Sequence, residues 1–350
     1  MSSIYTVQPS GKRDVFIDVA RLLTMLFIIM GHVNIRTPHG EGWSSSLCML
    51  VSFTACCGVP FFFFMAGYFS KPVSGGLNWR RTWEIFRSMV FWCIVGYFWF
   101  GALLGREYTF LGEEGILGVL GAWNSVSTPG SWDCWFLKVL LPMVLVSGLL
   151  HRLKSAILLC LACLSALLGA ADCEGEWLPY FFSSKALSGL SYFLCGLLIR
   201  RGMGISEISS WIGHIYTYVI GVTWFVVGVG ILSALAGFHS LIVFVPGNFV
   251  SDIWGIIYVL SLSKALCVIL PRFSNWFGAF GAGVFFIYMV QEMLVIQCRW
   301  LFTLHPVNKH AYAMVPFGIF AVLMLGYWLV RRYMPWACGV LCLSPVKKNG

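Results

Sequence analysis

Charged residues are scarce in this chain. They make up 11% of its 350 residues, while hydrophobic residues make up 59%. An ordinary soluble domain has about a quarter charged residues, and its interior could not bury so large an apolar surplus. A helix needs roughly 20 apolar residues to cross the hydrocarbon core of a bilayer, and stretches of that length recur along the chain. We therefore predict an all-α, polytopic membrane protein with about ten transmembrane helices.

The chain also lacks the motifs of common soluble enzymes. It contains no Walker motif, no metal-ligand cluster, no Gly-x-Ser-x-Gly elbow and no dinucleotide fingerprint. We therefore expect no metal. The formal net charge is +9, but the basic residues form short clusters between apolar stretches, so they indicate membrane topology and no nucleic-acid partner. Most of the 13 cysteines lie inside apolar runs, where thiols behave as small hydrophobic groups.

Hydropathy predicts ten spans, and each must be helical because lipid cannot satisfy open backbone groups. The predicted spans are 15–35, 47–69, 85–104, 132–150, 156–171, 178–199, 215–237, 249–270, 277–301 and 312–330. We thus expect a membrane domain at 15–333 between an N-terminal segment at 1–14 and a C-terminal tail at 334–350.

The loops between these spans alternate in charge. One side carries Lys12, Arg13, Lys71, Arg80, Arg81, Arg87, Arg152, Lys154, Arg200, Arg201, Lys264, Arg272, Arg331, Arg332, Lys347 and Lys348. The other side carries Arg36, Arg106, Arg299 and Lys309 together with Glu41, Glu107, Glu113, Glu114, Asp172, Glu174 and Glu176. The positive-inside rule therefore predicts an even number of spans and two cytoplasmic termini.

Three ionisable residues lie in the first predicted span. An ionisable group in a span costs at least about 2.5 kcal/mol, so each one calls for a partner or a function. Asp18 and Arg21 are three residues apart and can form a helical pair. His32 follows Arg21 by eleven residues, which places it within about 20° of the same helix face and some 16 Å further along. Either these residues are structural, or His32 is a general base beside a buried ion pair.

The pattern Asp18, Arg21 and His32 resembles the first helix of the bacterial membrane O-acyltransferases, the acyltransferase-three family. Further similarities follow in the family's order. They are VPFFFFMAGYF at 59–69, WFLK at 135–138, the aromatic and basic segment at 192–201, and FFIYMVQ at 285–291. Three positions depart from the family pattern, because Ala66 replaces a serine, Glu84 replaces an arginine and Gln291 replaces a histidine.

The resemblance implies an acyltransferase of the bacterial inner membrane. It would move an acyl group, expected to be acetyl, from acetyl-CoA to a hydroxyl of an extracytoplasmic glycan or lipid-linked sugar. In that reaction His32 takes the proton, Arg21 holds or polarises the donor and Asp18 orients Arg21. Direct transfer is expected, and a transient acyl-imidazole on His32 is the alternative. The cations expected to bind the CoA phosphates are Arg80, Arg81 and Arg87.

The other candidate residues have less defined roles. Glu292 could orient His32 or pair with Arg299, and the remaining residues expected near the acceptor are Asp133, Lys138, Asp252 and Gln291. Two alternative functions stay open at this point. A transporter or flippase also uses many helices with internal charges, and the three departures from the motif would also fit a non-catalytic relative.

Overall fold

The structure is a computed structural model that describes residues 14–34, 58–104, 134–170, 184–235, 249–304 and 309–341. About 90% of it is helical, and the described part contains no strand. The predicted all-α, polytopic membrane fold is confirmed.

The described residues form twelve α-helices, and each described connection between them is at most ten residues long. They are α1 (Val15–Asn34), α2 (Gly58–Tyr68), α3 (Trp79–Leu104), α4 (Cys134–Leu150), α5 (Ser155–Ala170), α6 (Ser184–Gly202), α7 (Ile205–Leu235), α8 (Phe249–Ile269), α9 (Pro271–Gly278), α10 (Val284–Leu304), α11 (Lys309–Tyr333) and α12 (Cys338–Leu341).

Within the described residues, five segments are long and apolar enough to cross a membrane. They are Val15–Val33, Ile205–Val229, Phe249–Ile269, Pro271–Cys298 and Met314–Tyr333. Shorter apolar helices cover Gly58–Tyr68, Trp135–Leu150 and Ser155–Ala170. The total of ten spans stays a prediction, because parts of the predicted spans fall outside the described residues.

Helix α1 lies at the centre of the bundle. It packs against α2, α8, α9, α10 and α11, and its residues Leu22, Met25 and Ile29 are fully buried. In α5, by contrast, Leu159, Leu164 and other large apolar side chains are exposed, as expected of a helix that faces lipid. The central position of α1 explains how its polar residues can be held away from lipid.

Helices α2 and α6 cross at very short distance through paired glycines. A Cβ atom added at Gly67 would lie 1.9 Å from the Phe193 carbonyl oxygen, and one added at Gly196 would lie 2.0 Å from the Phe64 carbonyl oxygen. Small residues at helix crossings are typical of membrane bundles, where close packing replaces the hydrophobic driving force. The contact fixes the position of α2 relative to α6.

The predicted span at 277–301 is divided in the structure. Helix α9 ends at Gly278, a single 3-10 turn covers Gly281–Gly283, and α10 begins at Val284. The two glycines of this turn lie against bulky neighbours, since a Cβ at Gly281 would meet Asp18 at 2.5 Å and one at Gly283 would meet the Tyr327 ring at 2.4 Å. The sequence periodicity of the segment does not predict this break, because the break depends on contacts with α1 and α11.

Residues 69–78 connect α2 to α3 and are attached to the end of α4. The Asn78 backbone N–H donates to the Leu145 carbonyl at 2.8 Å, and the Arg152 guanidinium donates to the Ser74 carbonyl. Gly76 has a φ of 79°, a left-handed conformation that favours glycine. This connection therefore has a defined path across the end of the bundle.

The C-terminal ends of α4 and α6 meet beside this connection. Arg201 donates hydrogen bonds to the carbonyls of Leu150, His151 and Leu153, at 3.2, 2.9 and 2.8 Å. A guanidinium there satisfies carbonyls that a helix end leaves without an internal partner. Residues 335–341, from the predicted C-terminal tail, pack against α3, where Ser88 donates to the Val340 carbonyl at 2.7 Å.

Candidate active site

A cavity of about 800 Å³ opens among α1, α2, α3, α4, α10 and the connection at 69–78. Its mouth is polar and carries Lys71, Asn78, Arg80, Arg81 and Glu84. Its interior is mainly apolar and is lined by Phe62, Met65, Ala66, Ile85, Phe136, Leu137, Leu140, Val144, Val284, Phe285 and Tyr288. The cavity thus combines cations at its entrance with an apolar inner part.

The depth of this cavity follows from the positions of its lining residues along α4. Ser147 and Phe136 both line it and lie eleven residues apart on the same helix. At a rise of about 1.5 Å per residue, they are separated by roughly 16 Å along the helix axis. The cavity is therefore deep enough to hold an extended molecule with its charged end at the mouth.

Arg21 is part of the cavity wall, inward of the connection at 69–78. Its Nη1 atom lies 3.6 Å from Asp18 Oδ1, in the predicted pairing, and its guanidinium lies 5.1 Å from the centre of the Phe69 ring. The Arg21 side chain is 29% exposed while that of Asp18 is 6% exposed. Asp18 and the Phe69 ring together orient a cation that remains accessible from the cavity.

Two buried residues of α10 surround the imidazole of His32. Gln291 Nε2 lies 3.0 Å from His32 Nδ1, and Glu292 Oε2 lies 3.4 Å from the same nitrogen. The His32 side chain is 31% exposed and that of Glu292 is 6% exposed. Both neighbours lie at Nδ1 and hold the imidazole through that nitrogen. The structure places Glu292 with His32, while the Arg299 side chain lies outside the described part.

The orientation of the Gln291 amide bears on the imidazole tautomer. Gln291 is fully buried, and its Oε1 atom accepts no hydrogen bond from the described residues. Turning the amide over would present Oε1 to a proton on His32 Nδ1, which Glu292 could also accept. In that arrangement Nε2 carries the basic lone pair.

The three predicted donor-binding arginines occupy different positions. Arg80 and Arg81 line the cavity mouth, and both pair with Glu84, at 3.6 Å from Arg80 Nε and 2.9 Å from Arg81 Nη1. Arg87 is exposed and is not among the described residues that line the cavity. The structure therefore separates Arg80 and Arg81 from Arg87.

The predicted acceptor-side residues are dispersed. Lys138 is buried on α4 next to the cavity residue Leu137. Asp252 of α8 is buried and accepts a hydrogen bond from the Tyr192 hydroxyl. Asp133 lies outside the described residues. Of this group, Gln291 and Glu292 are the residues that the structure brings to His32.

Sequence reasoning did not identify the polar pair beside the cavity mouth. The Ser70 hydroxyl donates to the Gly67 carbonyl at 2.7 Å and accepts from His151 Nε2 at 3.0 Å. His151 is half-buried, and burial lowers the pKa of its imidazole below the ordinary value of 6.5. A hydrogen bond to the Ser70 backbone raises this pKa, and the nearby Arg201 charge lowers it. No spacing motif links Ser70 to His151, which are 81 residues apart.

A comparison with family models agrees with the motifs quoted above. A family model described as "Acyltransferase domain", of the acyltransferase-three type, matches residues 14–341. No curated protein and no solved structure matches the chain at a significant level. The matched region includes Asp18, Arg21 and His32 and all of the described helices. The chain therefore belongs to the acyltransferase-three family of membrane acyltransferases.

Proposed function

We propose that this protein transfers an acyl group, expected to be acetyl, from acyl-CoA to a hydroxyl of an extracytoplasmic glycan or lipid-linked sugar. The observation that supports the proposal is that the cavity ends one helical turn short of the His32 site along α10. Cations surround the mouth, Arg21 is part of the inner wall, and the cavity residue Tyr288 precedes the His32 neighbour Gln291 by one helical turn.

The donor would enter with its phosphates at the mouth. Guanidinium groups match the geometry of phosphate oxygens, so Arg80 and Arg81 would bind the CoA phosphates together with Lys71. Glu84 would have to release one or both arginines when the phosphates arrive. The pantetheine arm would then extend along the apolar interior, where Arg21 could hold the carbonyl end.

The transfer would be direct. His32 Nε2 takes the proton from the acceptor hydroxyl as that oxygen attacks the thioester carbonyl carbon. A C–O bond forms, the C–S bond breaks, and the thiolate of CoA leaves and takes the proton from the imidazolium. Glu292 and Gln291 would hold the imidazole through Nδ1 during both proton transfers. The products are an ester and free CoA.

The two substrates would approach from opposite sides of the bilayer. If the basic end faces the cytoplasm, as the positive-inside rule predicts, both termini are cytoplasmic and the donor enters from that side. His32 then lies in the half of α1 that is nearer the outer surface, where an extracytoplasmic hydroxyl could reach it. This arrangement fits the inner membrane of a bacterium.

The deciding experiment uses the purified protein in lipid vesicles with acetyl-CoA labelled in the acetyl group and candidate glycans. We expect label to appear on a glycan and free CoA to accumulate in equal amount. Movement of a glycan or of intact acyl-CoA across the vesicle membrane without acyl transfer would indicate a transporter. Binding of acyl-CoA without transfer to any acceptor would indicate a non-catalytic relative.

A further inference from the structure

Three aromatic rings from three helices form the deepest wall of the cavity, and we call them the ring layer: Phe62, Phe136 and Tyr288. The centroids of Phe62 and Phe136 are 6.3 Å apart, and those of Phe136 and Tyr288 are 5.5 Å apart. The rings meet at 63° and 64°, the edge-to-face geometry that aromatic pairs prefer. Phe63 supports Phe136 from behind, with centroids 4.7 Å apart.

The ring layer lies at the inner end of the cavity on all three helices. On α2, Phe62 is seven residues from Phe69, which lies at the start of the connection at 69–78, so the two are roughly 10 Å apart along the axis. On α4, Phe136 is the lining residue furthest from the mouth among those described. On α10, Tyr288 is likewise the described lining residue furthest from the mouth.

His32 lies on the far side of this layer. Its neighbour Gln291 follows Tyr288 by three residues, or roughly 4.5 Å along α10. His32 is not among the described residues that line the cavity. If the donor reaches the imidazole through this cavity, its thioester meets these rings first.

We infer that the ring layer selects the acyl group and limits the donor to chains of a few carbons. This inference rests on the proposed function. Phe136 and Tyr288 are buried, and Phe136 also packs on Phe63, so the rings can separate only slightly without displacing the helices. Packed interiors resist the insertion of even one extra methylene, and a tight apolar pocket distinguishes substrates that differ by one methylene by roughly 10- to 200-fold.

The test compares acyl-CoA donors of increasing length, namely acetyl, butyryl and hexanoyl, with one acceptor in the vesicle assay. For the wild-type protein we expect kcat/KM to fall by at least about tenfold from acetyl to butyryl. In Phe136→Leu and Tyr288→Leu, removal of a ring face should reduce this preference by about tenfold. The two variants change different helices, so the comparison does not depend on the folding of one of them.

The matched control is Phe286→Leu. Phe286 is also buried on α10, but its ring packs against Trp92 and Tyr327, and it is not among the described lining residues. It should leave the acetyl-to-butyryl ratio unchanged. Elution as a single species in detergent would establish that each variant is folded.

The outcomes separate this inference from the proposed function. Transfer by the wild-type protein with any donor supports the proposed function. If that protein uses hexanoyl-CoA as well as acetyl-CoA, or if folded ring-layer variants keep the wild-type preference, the ring layer does not select the acyl group. Absence of transfer with every donor would overturn the proposed function, and the inference with it.

Discussion

Gln291 and His32 are 259 positions apart in the sequence, yet the Gln291 amide nitrogen lies 3.0 Å from His32 Nδ1. If the amide holds the imidazole during transfer, Gln291→Leu should lower kcat by up to about tenfold, the effect of one hydrogen bond. Gln291→His introduces the histidine that the family pattern has at this position, and this variant should retain most of the activity. Steady-state kinetics at saturating donor would measure both. A fully active Gln291→Leu protein would leave Glu292 as the residue that orients His32.

The second prediction separates His32 from Arg21. His32→Ala should remove nearly all transfer and leave acyl-CoA binding intact, because a general base contributes about 10² to 10⁴ in rate and little to donor affinity. Arg21→Ala should instead weaken donor binding or folding, since it removes a cavity cation and the ion pair that Arg21 makes with the buried Asp18. Transfer and binding are measured on both variants after insertion is verified. More than about a tenth of normal transfer by His32→Ala would contradict the mechanism.

The third prediction concerns the arginines at the cavity mouth. Arg81→Ala should raise the donor KM more than it lowers kcat, the pattern of an interaction lost equally from ground and transition states. Arg87→Ala is the matched control, because Arg87 is exposed on the same helix outside the described lining. Glu84→Gln should lower the donor KM by releasing Arg80 and Arg81. Equal effects of Arg81→Ala and Arg87→Ala would mean that both act only through the surface charge.

The fourth prediction is a loss of stability in acid. The folded-state pKa of His151 lies below its ordinary value of 6.5, mainly because of burial. The unfolded protein therefore binds the proton more readily, and the contribution of this group to stability is present above about pH 6.5 and decreases as the pH falls. The Tm in detergent should fall between pH 7 and pH 5, and His151→Gln should reduce that fall. The same pH dependence in both proteins would assign it to other groups.

The fifth prediction concerns the turn between α9 and α10. Gly281→Ala would place a methyl group 2.5 Å from Asp18 Cβ and Cγ, and such overpacking costs about 1–3 kcal/mol. We expect a lower Tm together with reduced transfer, because Asp18 would shift away from Arg21. Gly318→Ala is the control, since nothing lies within 4 Å of an added Cβ there. Equal Tm values for the two variants would show that the turn can relax.

The sequence predicts best what depends on one helix. The pairing of Asp18 with Arg21 follows from a spacing of three residues, and the structure has it. The sequence leaves Glu292 two alternatives, because the choice between His32 and Arg299 depends on how α10 rotates against α1. That rotation is set by packing between helices and has no local pattern in the sequence.

The cavity could not be predicted from the sequence, because it too depends on packing between helices. Arg81 and Arg87 look equivalent in the sequence, but only the helix face decides which of them reaches the mouth. The phenylalanine run at 61–64 and the WFLK segment were recognised as motifs. That Phe62, Phe136 and Tyr288 meet at the inner end depends on three separate helices, which no spacing along the chain connects.

The contact between Gly67 and Phe193 also has a consequence for biogenesis. The two glycine contacts at the crossing of α2 and α6 join segments that are more than a hundred residues apart. At about 5–20 residues per second, α6 emerges from the ribosome on the order of 10 s after α2. During that interval α2 is in the bilayer without the helix whose backbone it contacts. Until α6 is inserted, the face of α2 that later contacts α6 is therefore covered by lipid or by an insertion factor.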